Sequence, residues 1–157
     1  MIYLLIFIAF FADRVSKWWA AAYLVQKGPE QINPYFTLVE TYNRGIAFGM
    51  FQGIGPLVGW LTILVVIGLL IFLHRLPRNQ WLNRIGIALI IGGALGNQID
   101  RILFGQVLDF IKTPFRSGVF NVADLMIQLG ILLLIVGLFV HKSVVNEAKV
   151  TQEYSGK

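Results

Sequence analysis

Asp109 and Asp124 are the residues most able to do chemistry in this chain. They flank a short stretch between two strongly apolar segments, and an acid where a chain enters hydrocarbon is costly enough to point to function. Rival chemistries lack reagents. The sequence has no Cys, two His (His74, His141) and four Ser (Ser16, Ser117, Ser143, Ser155). A Ser–His–Asp arrangement needs an imidazole beside the nucleophile, and both His stand at expected cytoplasmic helix ends. A zinc site needs clustered His or Cys. Ser16 and Lys17 are adjacent, and adjacent helical positions point about 100° apart. Paired carboxyls remain, with no metal or cofactor expected. Two Asp sharing a proton can hydrolyse an amide without a covalent intermediate. The ionised one takes a proton from water while the protonated one polarises the carbonyl or protonates the leaving nitrogen. Like charges a few Å apart cannot both ionise, and desolvation parts their pKa values further.

Each acid also has a structural reading. Asn121-Val122-Ala123-Asp124 before an apolar run looks like a helix start, with Asn121 as N-cap and Asp124 three positions on. Negative charge is favoured there by the helix dipole, which makes Asp124 the expected ionised partner and leaves the proton on Asp109. Asp109, between Leu108 and Phe110, has no such excuse and needs a partner. Asn97, Asp100 and Arg101 are spaced to share one helix face. Arg101 is suited to a buried carboxylate or to a peptide carbonyl; the plainer reading is a membrane-end Arg–Asp pair. Asp13 and Lys17 are four apart with the acid first, the better order for an internal ion pair. Gly92 and Gly96 form a GxxxG that reads as close helix packing. The four Trp read as interface belt or lipid-facing bulk.

The elements that must position these groups are membrane spans. The chain of 157 residues is 57% hydrophobic and 13% charged, with mean hydropathy +0.71, against about 25% charged in soluble domains. One domain, 1–157, is expected. Its charge of +5 flanks apolar runs, which suggests lipid headgroups and not nucleic acid. Spans are expected at about 2–25, 54–73, 83–101 and 122–141. The first is interrupted by Asp13-Arg14-Val15-Ser16-Lys17. It lacks the positive start and unbroken apolar middle of a cleaved signal peptide, so it reads as a retained helix whose polar middle faces protein. Arg75, Arg78 and Arg84 place the 74–82 loop in the cytoplasm, where the 142–157 tail joins it. Lys27, Arg44, Lys112 and Arg116 on the other side weaken that bias. Segments 27–53 and 102–121 are then extracytoplasmic. Residues 31–42 favour a short antiparallel strand pair, Asn43-Arg44-Gly45 a turn, and 107–111 another strand ended by Pro114. Residues 46–51 are apolar but too short to span, and are expected in the interface. The tail from Asn146 onward is polar and expected to fray. The fold class is therefore all-α and integral to the membrane: four transmembrane helices, a small extracytoplasmic β-cradle and a short interfacial flap.

Five ordered blocks are specific. Asp13-x-x-Ser16-Lys17, Tyr42-Asn43-x-Gly45-x-Ala47-Phe48, Gly92-Gly93-Ala94-x-Gly96-Asn97-x-x-Asp100-Arg101, Gly105-x-Val107-x-Asp109-Phe110 and Phe120-Asn121-x-Ala123-Asp124 follow one another. With them the chain strongly resembles the bacterial lipoprotein signal peptidases, or signal peptidase II. The resemblance implies an aspartic endopeptidase of the bacterial inner membrane that cleaves diacylglyceryl-modified prolipoproteins just before the lipidated Cys. It places the catalytic dyad on Asp109 and Asp124. Asn43, Asn97, Arg101 and Asn121 fall on site-lining positions, and Asp13, Lys17 and Asp100 on supporting ones. Phe48, Met50 and Phe51 fall on the flap. Partners would be lipidated precursors and membrane lipids, with the enzyme a monomer. Arg14 departs where Gln is common, Ile46 where Ala is, and Leu125 where a smaller residue follows the Asp. Each buried CH₂ of an acyl chain contributes about 0.8 kcal/mol to membrane anchoring, so the acids belong at the interface, beside a lateral opening, in a wet pocket. Two other classes compete. A small four-helix transporter would use Asp13 as a proton relay, and a non-catalytic assembly factor would draw only on the GxxxG.

Overall fold

The computed structural model describes residues 1–45 and 55–155, with side chains for 1–45 and 59–141. Its helices are α1 (Ile2–Lys27), α2 (Gly55–Arg75), α3 (Trp81–Phe104) and α4 (Val122–Ser155). The strands β1 (Glu30–Asn33), β2 (Phe36–Asn43), β3 (Val107–Lys112) and β4 (Val119–Phe120) form one antiparallel sheet in that order. Four helices and one small antiparallel sheet are what the expected class of helices with a β-cradle requires. β4 was missed because two residues are too few to show alternation. The 31–42 pair and the 107–111 strand join one sheet, which periodicity does not reveal. The flap residues Phe48, Met50 and Phe51, and the expectation for 46–51, lie outside the described residues.

α3 is the central helix, touching α1, α2 and α4. Its small residues allow this. A Cβ on Gly92 would stand 2.6 Å from the Ala9 Cβ and 2.7 Å from the Ile6 carbonyl, and one on Gly96 would strike the Asp13 carboxylate. The GxxxG is therefore the seam between α1 and α3. Gly105, at φ 68°, ends α3, its N–H bonding the Arg101 carbonyl at 3.1 Å. The helix runs to Phe104, three residues beyond the expected 101, because nothing interrupts it before Gly105. α4 is helical through Ser155. Residues 141–155 contain no Gly or Pro to stop a helix already begun.

Polarity is inverted relative to a soluble bundle. α1 buries Asp13 and Lys17 while Phe7, Phe11 and Trp18 face outward, and α4 exposes Leu132, Leu138 and Phe139. Among the described residues, Trp81–Phe104 and Val122–His141 are long and apolar enough to cross a membrane, and Gly59–Arg75 is a shorter apolar stretch. One apolar core joins Ile6, Val66, Leu73, Ile87 and Ile91 within the bundle. A second, of Ala20, Leu24, Leu38 and Phe110, seats the sheet on the far end of α1. Between them lies a layer of buried polar residues. That layer is the candidate site.

Candidate active site

Four elements supply the polar layer. β3 presents Asp109, 4% exposed, on the same face as Val107. Thr41 is its cross-strand partner and Asn43 pairs with Val107, so Asn43 lies diagonal to Asp109, within side-chain reach. Its Nδ2 donates to Asp109 Oδ2 at 3.2 Å. Asn121 Nδ2 donates to Asp109 Oδ1 at 2.6 Å. Asp109 thus has the partners that its apolar surroundings demand. Burial raises its pKa from 3.8 to about 6, and the nearby Asp124 charge adds to the rise.

Asn121 and Asp124 form a reciprocal cap on α4. The Asp124 N–H donates to Asn121 Oδ1 at 3.0 Å, and the Asn121 N–H to Asp124 Oδ2 at 3.3 Å. The structural reading of Asp124 is correct, and it does not exhaust the residue. Its other oxygen accepts from Asn97 Nδ2 at 3.0 Å. Asn121, fully buried, therefore hydrogen-bonds both acids at once.

Asn97 links this pair to a buried ionic group. Lys17 Nζ donates to Asn97 Oδ1 at 2.9 Å and ion-pairs with Asp13 at 2.9 Å and Asp100 at 2.7 Å. One N–H serves the carboxamide, and the charge is shared between the two carboxylates. Asp13 Oδ1 also accepts from the Ala123 N–H at 2.9 Å, tying α1 to the first turn of α4. Asp13 thus joins two helices through its side chain.

Asp100 does not pair with Arg101, as the plainer sequence reading had it; it pairs with Lys17 and Arg14. Adjacent helical positions diverge, and only α1 brings cations to the buried one. The unusual Arg14 is accommodated by that pair. Arg101 donates to the Gly45 carbonyl at 3.2 Å and lies within electrostatic reach of Asp124, Asp109 and Asp100. Leu125 points outward, 43% exposed, so its bulk does not crowd Asp124. Sequence reasoning missed Asn97 as the bridge between Lys17 and Asp124, the Arg14–Asp100 pair and the Gly45 carbonyl. Helical spacing put Asn97 and Asp100 on one face, but no spacing signal identifies a partner in another element.

This arrangement holds two coupled carboxyls, one biased toward its neutral form, beside a cation. It can deliver one proton and remove another, as general acid–base hydrolysis requires.

Residues 5–140 match the family model of signal peptidase (SPase) II. The lipoprotein signal peptidase of Hydrogenovibrio crunogenus is 39% identical over 134 residues, covering 81% of this chain and 78% of that protein. That of Caldanaerobacter subterraneus subsp. tengcongensis is 42% identical over 125 residues, covering 79% and 86%. A bacterial membrane enzyme solved by the in meso method at 2.3 Å resolution superposes with TM-score 0.78 at 28% identity, covering 89% of this chain and 88% of that one. A second, at 1.9 Å, gives 0.73 at 28% identity, covering 86% and 90%.

Proposed function

The chain belongs to the signal peptidase II family, membrane peptidases that remove lipoprotein signal peptides, and from that premise we propose that it is an aspartic endopeptidase with Asp109 and Asp124 as its dyad. Its substrates are prolipoproteins already carrying diacylglyceryl on the Cys that follows the cleaved bond. The observation that carries the reading is that Asn121 hydrogen-bonds both carboxyls. A structural acid needs one set of partners; two acids held by one residue, Asp109 by its side chain and Asp124 by its backbone N–H, are set up to act together.

In the proposed reaction Asp124, stabilised at the start of α4, is ionised and takes a proton from water. Asp109, disfavoured as an anion by burial and by Asp124, donates its proton to the carbonyl oxygen or the leaving nitrogen. Arg101 and Asn43 position the peptide, and Asn97 and Asn121 hold the acids. Asp13, Lys17 and Asp100 fix the helices that carry them. The chain would cross the inner membrane four times with both termini cytoplasmic, act as a monomer, and hold the dyad near the outer face, where water and a lipid-anchored substrate meet. Phe48, Met50 and Phe51 would form the flap, and the sheet the cradle.

Asp109→Asn and Asp124→Asn should each abolish cleavage of a diacylglyceryl-modified precursor while the protein still folds. Retained cleavage in either folded variant refutes the proposal.

A further inference from the structure

A cavity of about 410 Å³ lies beside the site, lined by Gly59, Trp60 and Ile63 of α2 and by Gln98, Arg101 and Ile102 of α3. Its wall is apolar except for the Gln98 carboxamide and the Arg101 guanidinium. Gln98 is 5% exposed, and among the described residues its Oε1 has no hydrogen-bond partner. Gly59 makes the room for this side chain: a Cβ there would stand 3.3 Å from Gln98 Nε2. Leaving a buried amide group unpaired costs about 1–3 kcal/mol, and hydrocarbon offers it no water. An apolar residue would fill this position without that cost. The carboxamide therefore calls for a partner that arrives with a ligand.

Arg101 identifies the ligand. It is three residues from Gln98 on the cavity wall, and its charge lies within reach of Asp124 and Asp109. The occupant is then continuous with the chain presented to the acids. A peptide whose amide is to be attacked must leave its helix there, so the neighbouring N–H and C=O groups lose their internal partners. In a low-dielectric cleft each needs a new one. A carboxamide offers an acceptor and donors together and so matches a peptide group, whereas a guanidinium only donates.

We propose that Gln98 is a substrate-positioning residue, pairing in the α2–α3 cavity with a main-chain peptide group of the signal peptide just before the cleaved bond. The inference rests on the peptidase reading above.

The test is steady-state cleavage of a synthetic diacylglyceryl-modified precursor in lipid nanodiscs, with thermal unfolding of the substrate-free protein alongside. Gln98→Leu should raise KM by about 2- to 10-fold, leave kcat near its original value, and leave the unfolding midpoint unchanged or higher. Gln98→Met, closer in shape, should do the same. Precursors with single peptide groups before the Cys replaced by esters locate the partner. One such ester should raise KM for the original protein and not for Gln98→Leu. An unchanged KM in both variants overturns the proposal, as does a lowered unfolding midpoint with no ester position coupled to Gln98. Coupling to an ether analogue of the diacylglyceryl group instead would assign the cavity to the lipid and overturn it too. Cleavage surviving Asp109→Asn would mean that the Asp109–Asp124 dyad on which the inference rests has itself failed. Cleavage lost in that variant while Gln98→Leu keeps its KM sinks the Gln98 inference alone.

Discussion

If Asp109 must be protonated at the start of the reaction, kcat/KM falls roughly tenfold per pH unit above about pH 6. Moving the group from 3.8 to about 6 corresponds to about 3 kcal/mol against ionisation. Burial is the larger cause and Asp124 the next, while Asn43 and Asn121 oppose both by hydrogen-bonding the anion. The same displacement acts on folding. The native state holds this proton where the unfolded chain has lost it, so the stabilisation is complete below pH 3.8 and declines by about 3 kcal/mol as pH rises through 6. Carboxyl infrared spectroscopy on the folded protein reads the midpoint directly. In Asp124→Asn the like charge is gone, so the Asp109 midpoint should drop below 6 yet stay above 3.8. Asn43→Ala removes a 3.2 Å bond to the anion, worth about 1 kcal/mol, and should raise the midpoint by less than about one pH unit. A midpoint near 3.8 in the unaltered protein refutes the reasoning, as does a rise in Asp124→Asn.

Lys17→Met leaves Asp13 and Asp100 buried without their shared cation; a loss of about 3–5 kcal/mol should appear as a much lower unfolding midpoint in detergent. Gly92→Leu forces atoms into the Ala9 contact and should destabilise by at least about 1–3 kcal/mol, seen in the same melt, whereas Gly68→Leu, with open space around its Cβ, should change little. Arg14→Gln should cost less than about 1 kcal/mol, because Arg14 is 26% exposed and Asp100 keeps Lys17; a loss of cleavage in that variant would show that the extra charge has a role in the site.

The helices were legible because their signals are local. An apolar run of span length and a polar cap such as Asn121 with Asp124 three residues on are both read along one stretch of chain. The aromatic and β-branched residues of 31–42 mark strands for the same reason. The i,i+4 order of Asp13 and Lys17 foretold their ion pair, since a single helix sets that distance. Partners drawn from different elements had no such ruler. Asp100 was read against its neighbour Arg101, but α1 brings Arg14 and Lys17 to it instead. The two-residue β4 left no pattern at all.

The amino-acid order alone determined which segments would be helical and apolar, and which few side chains were too polar for their surroundings. It could not supply distances between them. Tertiary packing decided that Asn121 bonds both Asp109 and Asp124, and that Asn97 joins them to Lys17. It also left Gln98 without a partner beside Gly59. Burial raises the energy of every unpaired polar group, so the value of each such residue is set by what the other helices bring within about 3 Å. Only the assembled bundle fixes that.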